Sequence, residues 1–183
     1  AGLPPEMLSV VTGNPGTMGD SMITDPDCDL ITFTGSVRVG KYIAEKAGYR
    51  RIVLELGGND PLIVMEDADL DKAAAAIHGG AFGSTGQRCT ATSRVIAHPD
   101  IKQALVDRLV ASAEKIKVGP GLDESMDMGP SIADKQWQTV MHYIDAGRRE
   151  GARLLTGGTR PDHLAHGYFI APTIFDDVDP GMR

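Results

Sequence analysis

The stretch from Asp29 to Gly58, DLITFTGSVRVGKYIAEKAGYRRIVLELGG, decides the fold. DLITFTG (29–35) reads as a strand. SVRVGKYIAEKAG (36–48) reads as a helix with Val39, Ile43 and Ala47 on one face, and IVLELGG (52–58) as a second strand closed by a glycine pair. Strand, helix and strand in this order imply an α/β fold with a parallel sheet and crossover helices. Upstream, LSVVTG (8–13) reads as a buried strand leading through a glycine turn into a helix near Pro15 to Ile23.

Downstream the same alternation continues. PLIVM (61–65) is strand-like, and DADLDKAAAAIHGGAF (67–82) opens with acids suited to a helix N-terminus. RVIAH (94–98) is a strand, and residues 100–117 form a helix with Ile101, Leu105, Leu109, Ala113 and Ile116 at helical spacing. Glycines and prolines make 118–130 a loop. Residues 133–150 repeat the helical pattern through Trp137, Val140, Met141 and Ile144, with Gly151 as the stop. ARLLTGG and GYFIAPTIF are late strands. A domain boundary is expected near Gly57–Gly58, where the glycine pair can act as a hinge.

Composition narrows the class. The chain has 183 residues, 42% hydrophobic and 23% charged, the balance of an ordinary globular protein. No run of 18 apolar residues exists, and the opening AGLPPEMLSV lacks the basic and apolar regions of a signal peptide. A net charge of −7 without a basic stripe argues against nucleic acid. Two cysteines are too few for a disulfide framework, which favours a reducing, cytoplasmic setting. His78, His98, His142, His163 and His166 share no zinc spacing with either cysteine, so no metal is expected.

Three motifs carry chemistry. In TGNPGTMGDS, Gly13, Gly16 and Gly19 could bring backbone close to a pyrophosphate, although a plain strand-to-helix turn explains the spacing about as well. In FTGSVRVG, Ser36 could cap the following helix or hydrogen-bond a phosphate from the same place. Glycine turns at the carboxyl ends of successive parallel strands favour a dinucleotide there. The third motif pairs LELGG with GQRC. Glu55 lies inside an apolar strand, where burial would raise its pKa toward that of a general base; a salt-bridged or solvent-facing Glu is the alternative. Cys89 follows Arg88 at a presumptive helix start. There a positive neighbour and helical N–H groups favour thiolate, and small neighbours leave room for substrate. An inert cysteine is the alternative. Cys28, in an acidic turn, reads as inert.

FTGS, ELGG and GQRC, in this order and with Glu55 and Cys89 34 residues apart (55 to 89), resemble the NAD(P)-dependent aldehyde dehydrogenase superfamily. DADLD, DMGP, LLTGG and GYFIAPTIF extend the likeness over essentially the whole chain. The resemblance implies a Rossmann-like portion over 1–57, the C-terminal part of a dinucleotide-binding domain, followed by a partial α/β catalytic domain over 58–183. It casts Cys89 as the nucleophile that forms a thiohemiacetal and then a thioester, and Glu55 as the base that activates the hydrolytic water. It places Phe33, Thr34, Gly35, Ser36 and Val39 along NAD or NADP, with Leu56 and Gly57 near the nicotinamide. Asn59 and Asp60 follow the glycine pair where the family often has Lys. Arg88 is similar to the branch that acts on aldehydes with an anionic tail, whose oxyanion suits a guanidinium fork.

Family members are more than twice this length, so the resemblance further implies a central fragment with little turnover by itself. It implies a small aldehyde as substrate and a homo-oligomeric full-length enzyme, with neither membrane nor nucleic acid as partner. A cofactor-independent cysteine hydrolase and a non-catalytic remnant remain as alternative readings.

Overall fold

The computed structural model describes residues 2–183. Two parallel strands, β1 (Leu30–Gly35) and β2 (Arg51–Leu56), pair in register from Leu30 against Arg51 to Gly35 against Leu56. Helix α2 (Val37–Lys46) makes the crossover between them. Alternation sorts each strand into two faces. Ile31, Phe33 and Gly35 lie with Ile52, Leu54 and Leu56 on the more buried face, and Gly40 of α2 meets the Leu56 side chain. Thr32, Thr34, Val53 and Glu55 lie on the exposed face. Ile43 and Ala47 are buried and Val39 is half-buried, as the helical spacing predicts.

Helix α1 (Pro15–Thr24) precedes this pair, with the Asn14 side chain accepting from the Gly16 N–H at 2.8 Å and Pro15 in its first turn. Asp20 on α1 accepts from the Tyr42 hydroxyl and from Lys46 on α2. The Tyr42 bond is the main reason that its carboxyl is held below the usual range. Residues 8–13 are not the buried strand that their sequence suggests. They carry no strand pairing, and Val10 and Val11 are 83% and 68% exposed. A strand needs a ladder partner, and β1 has only β2 among the described residues.

This first compact unit ends at Gly57, and a second runs Gly58–Arg183. The second repeats the parallel motif. Strands β3 (Asp60–Val64) and β4 (Thr92–Ala97) are paired in parallel, connected through α3 (Leu70–Phe82). The Asp69 carboxylate caps α3 by accepting from the Asp71 and Lys72 N–H groups, which lowers its pKa. Helix α4 (Pro99–Ala113) buries Leu105, Leu109 and Ala113 at the predicted spacing. Leu105 and Leu109 join Val64, Ala74 and Ile77 in one core. Ile116 falls beyond the helix end and packs instead on a second cluster of Val118, Met128 and Phe169.

Helix α5 (Asp134–Glu150) turns Trp137, Val140, Met141 and Ile144 inward and stops at Gly151, whose φ of 95° suits a residue without Cβ. The last strands, β5 (Arg153–Thr156) and β6 (Ile174–Asp176), are antiparallel, and the predicted strand around GYFIAP is reduced to its final residues. Arg153 and Lys102 close on Asp176 and Asp177 at 2.6–2.9 Å, tying α4 to this hairpin. Among the described residues no helix is long and apolar enough to cross a membrane.

Candidate active site

Cys89 lies in the second unit, between α3 and β4. Helix α3 ends at Phe82 and a short 3-10 turn, Gly83–Gly86, follows. Ser84 and Thr85 are left-handed there, with φ of 53° and 59°, and Gly86 continues at 65°. Non-glycine residues in this region carry of order 1–2 kcal/mol of strain each. The chain then bends once more, with the Ala91 N–H donating to the Arg88 carbonyl at 3.1 Å. Cys89 and Thr90 occupy the two corners of that turn, and Cys89 is exposed and free.

No helix begins at Cys89, contrary to the sequence expectation, so Cys89 does not occupy a helix N-terminus. The left-handed run at 84–86 aims the backbone away from helical continuation, and β4 begins three residues beyond Cys89.

The neighbours on the N-terminal side of Cys89 are tied down. Arg88 donates from Nη2 to the Gly79 carbonyl of α3 at 2.8 Å. Gln87 accepts from the Ile132 N–H at 2.9 Å and donates to the Pro130 carbonyl at 3.5 Å. Thr85 donates to the Gly129 carbonyl at 3.3 Å. Gly58 approaches Cys89 from the start of β3, where a Cβ would sit 3.2 Å from the Cys89 carbonyl oxygen and crowd it. The sequence marks Gln87 only as a polar neighbour of the cysteine. Its partners lie more than 40 residues away, so no local pattern points to them.

Glu55 belongs to the first unit, on β2 opposite Thr34. It is exposed, so the expectation of a buried carboxylate does not hold here and the solvent-facing alternative does. The cause is the strand's period of two, which sends Glu55 to the face opposite Leu54 and Leu56. Phe33, Thr34, Gly35, Ser36, Val39, Leu56 and Gly57 gather in this unit at the carboxyl ends of β1 and β2 and the first turn of α2. Ser36 caps α2, its hydroxyl accepting from the Val39 N–H at 3.3 Å. Gly35 lies against the Phe33 ring, where any Cβ would clash.

Cys28 is half-buried, and its thiol donates to the Leu30 carbonyl at 3.6 Å. His163 donates from Nε2 to the Val118 carbonyl at 3.2 Å. It lines an open cleft of about 370 Å³ with Lys117, Met126 and Pro172. Among the described residues no group of histidines, cysteines and acids could hold a metal ion.

Parallel strands with glycine turns at their carboxyl ends, and an exposed cysteine on a braced turn, define a thiol-bearing α/β protein. The chain belongs to the aldehyde dehydrogenase family, whose profile its sequence matches over residues 1–183. It is 44% identical over 184 residues to the peroxisomal aminoaldehyde dehydrogenase 1 of Pisum sativum, an alignment covering 100% of this chain and 37% of that protein. It is 43% identical over 187 residues to the alpha-ketoglutarate semialdehyde dehydrogenase of Haloferax volcanii, covering 100% of this chain and 38% of that one. Among solved structures, the NAD-dependent aldehyde dehydrogenase from Sinorhizobium meliloti superposes with a TM-score of 0.94 at 40% identity, over 99% of this chain and 36% of that one. The chain thus spans little more than a third of the length of the relatives it matches.

Proposed function

We propose that this chain supplies the nucleophile and the base of an NAD(P)-dependent aldehyde dehydrogenase, which converts a small aldehyde to its carboxylic acid. The observation that carries the reading is Cys89, exposed at the corner of a turn anchored through Gln87 and Arg88. The Cys89 sulfur, as thiolate, adds to the aldehyde carbon and the carbonyl oxygen takes up the negative charge. A bound nicotinamide supplies the acceptor for the hydride that leaves this carbon. A thioester to Cys89 results. Glu55 takes a proton from water as the water adds to the thioester, and the carboxylic acid departs as the Cys89 thiolate is expelled.

Residues 1–57 act in this reading as part of the dinucleotide-binding domain and 58–183 as part of the catalytic domain. The residues present fit a dinucleotide. Helix α2 starts directly after Gly35, so its first-turn N–H groups and positive dipole end adjoin the carboxyl ends of β1 and β2. Phe33, Thr34, Gly35, Ser36 and Val39 would hold the cofactor, with Leu56 and Gly57 toward the nicotinamide end.

Arg88 adds selectivity for an anionic tail. One of its nitrogens bonds Gly79, which leaves the rest of the guanidinium to meet a carboxylate or phosphate. The relatives point both ways on this, since one is named for an aminoaldehyde and another for a carboxylate semialdehyde. The setting proposed is cytoplasmic and the complete enzyme homo-oligomeric, and the 183 residues alone turn over little aldehyde.

The test is NADH or NADPH formation by the complete enzyme. Cys89→Ala abolishes it. Glu55→Gln leaves a single-turnover burst and removes the steady state. Arg88→Ala raises KM for an anionic aldehyde far more than for a neutral one of similar size. Steady turnover in Cys89→Ala overturns the nucleophile, and equal KM changes overturn the tail selectivity.

A further inference from the structure

We infer that Thr85 and Gln87 form a clamp that holds the Cys89 turn against residues 129–132, making them positioning residues for the thiol. The inference rests on the reading of Cys89 as nucleophile. Three residues in succession, Ser84, Thr85 and Gly86, are left-handed, and two of them carry a Cβ. Such a run persists only where the surroundings over-determine it. The determinants are the Thr85 hydroxyl on Gly129 and the two ends of the Gln87 amide on Pro130 and Ile132.

The opposing segment is itself fixed. Ser131 is buried and its N–H donates to the Tyr168 carbonyl at 2.9 Å, while Met128 sits in the cluster with Val118 and Phe169. The clamp therefore joins the strained segment to a rigid one. Released, Ser84 and Thr85 relax toward right-handed conformations, and the exposed placement of Cys89 becomes one of several. Gln87 suits the task because one amide offers both a donor and an acceptor, matched here to a carbonyl and an N–H two residues apart.

The experiment compares the 183-residue chain with Gln87→Met, Gln87→Glu and Thr85→Val by two readouts on the same samples. One is amide hydrogen exchange. The other is the rate of Cys89 alkylation by iodoacetamide from pH 6 to 9, with Cys28 as internal reference. In Gln87→Met, exchange at Ile132 and across 88–91 speeds up by about tenfold, the equivalent of one net hydrogen bond. Cys89 alkylation falls by a similar factor at every pH, with an unmoved pH midpoint. Gln87→Glu keeps the acceptor for Ile132 and recovers most of both.

Unchanged exchange, or faster exchange with unchanged alkylation, overturns the clamp. Leu62 and Ile63 amides in β3 report global unfolding. If they accelerate equally in Gln87→Met, Thr85→Val decides by the same two readouts. Alkylation of Cys89 no faster than Cys28 in the parent chain overturns the nucleophile reading, and the exchange data then judge the bracing of the loop alone.

Discussion

Replacing Arg50 with Ala removes four hydrogen bonds at once. Its guanidinium donates to the Cys28 and Ala47 carbonyls at 3.1 Å and to the Thr24 and Asp25 carbonyls at 2.8 Å. These carbonyls end α1, lead into β1 and end α2, so one side chain gathers the three segments that set where β2 begins. The bonds to Cys28 and Ala47 are half-buried, and those to Thr24 and Asp25 are exposed. Water can replace the exposed pair at little cost. The half-buried pair, charge-assisted, contributes about 1.5 kcal/mol per bond at the low end, giving about 3 kcal/mol in total. A unit this small has little stability to spare. With a urea slope of about 1 kcal/mol/M, the midpoint falls by about 3 M. The assay is a urea titration followed by backbone NMR of the β1 and β2 amides, with β3 and β4 as the comparison. Arg50→Lys loses most of the same energy, because a point ammonium does not reproduce the planar fork that meets the Cys28 and Ala47 carbonyls from Nε and Nη1 together. A midpoint change below about 0.5 M, or an equal change in β3 and β4, refutes the reasoning.

Leu105→Ala empties the centre of the second unit's core, where Leu105 is 1% exposed, and costs about 3 kcal/mol. The fluorescence of Trp137, the chain's one tryptophan, reports it as a lower urea midpoint. Asp177 is held below its ordinary value of 3.8, first by Lys102 and then by Arg153. A depressed carboxyl stabilises the fold above 3.8, and that contribution disappears as pH falls through the folded-state value. Parent and Asp177→Asn therefore differ at neutral pH and converge in acid; a constant gap through pH 2 contradicts the pairing. Ser36→Ala costs about 1 kcal/mol through its lost cap on α2, and Ser36→Asp recovers it. Equal stability of Ser36→Ala and parent shows that the cap contributes nothing.

The sequence by itself determined the local elements, because their causes are local. Helical spacing set the inward faces of α2, α4 and α5, the acids before Leu70 capped α3, and Gly151 ended α5 with a positive φ. It also set both parallel crossovers, since strand–helix–strand units with short turns close in few ways. FTGS, ELGG and GQRC identified the family from residues that need no fold to be read.

Tertiary structure decided the rest. Residues 8–13 look like a strand by composition, yet a strand exists only with a partner, and among the described residues none lies beside β1 except β2. Glu55 looks buried by its neighbours in sequence, yet the pleat sends it to the open face. Cys89 looks like the start of a helix, yet left-handed residues before it turn the chain aside, held by bonds to residues 129–132. Ladder partners and the anchors of the Cys89 turn at residues 129–132 are groups distant along the chain, whose free energy of association appears only once the backbone has brought them within hydrogen-bonding reach, and which face of β2 stays open depends on what packs against the other.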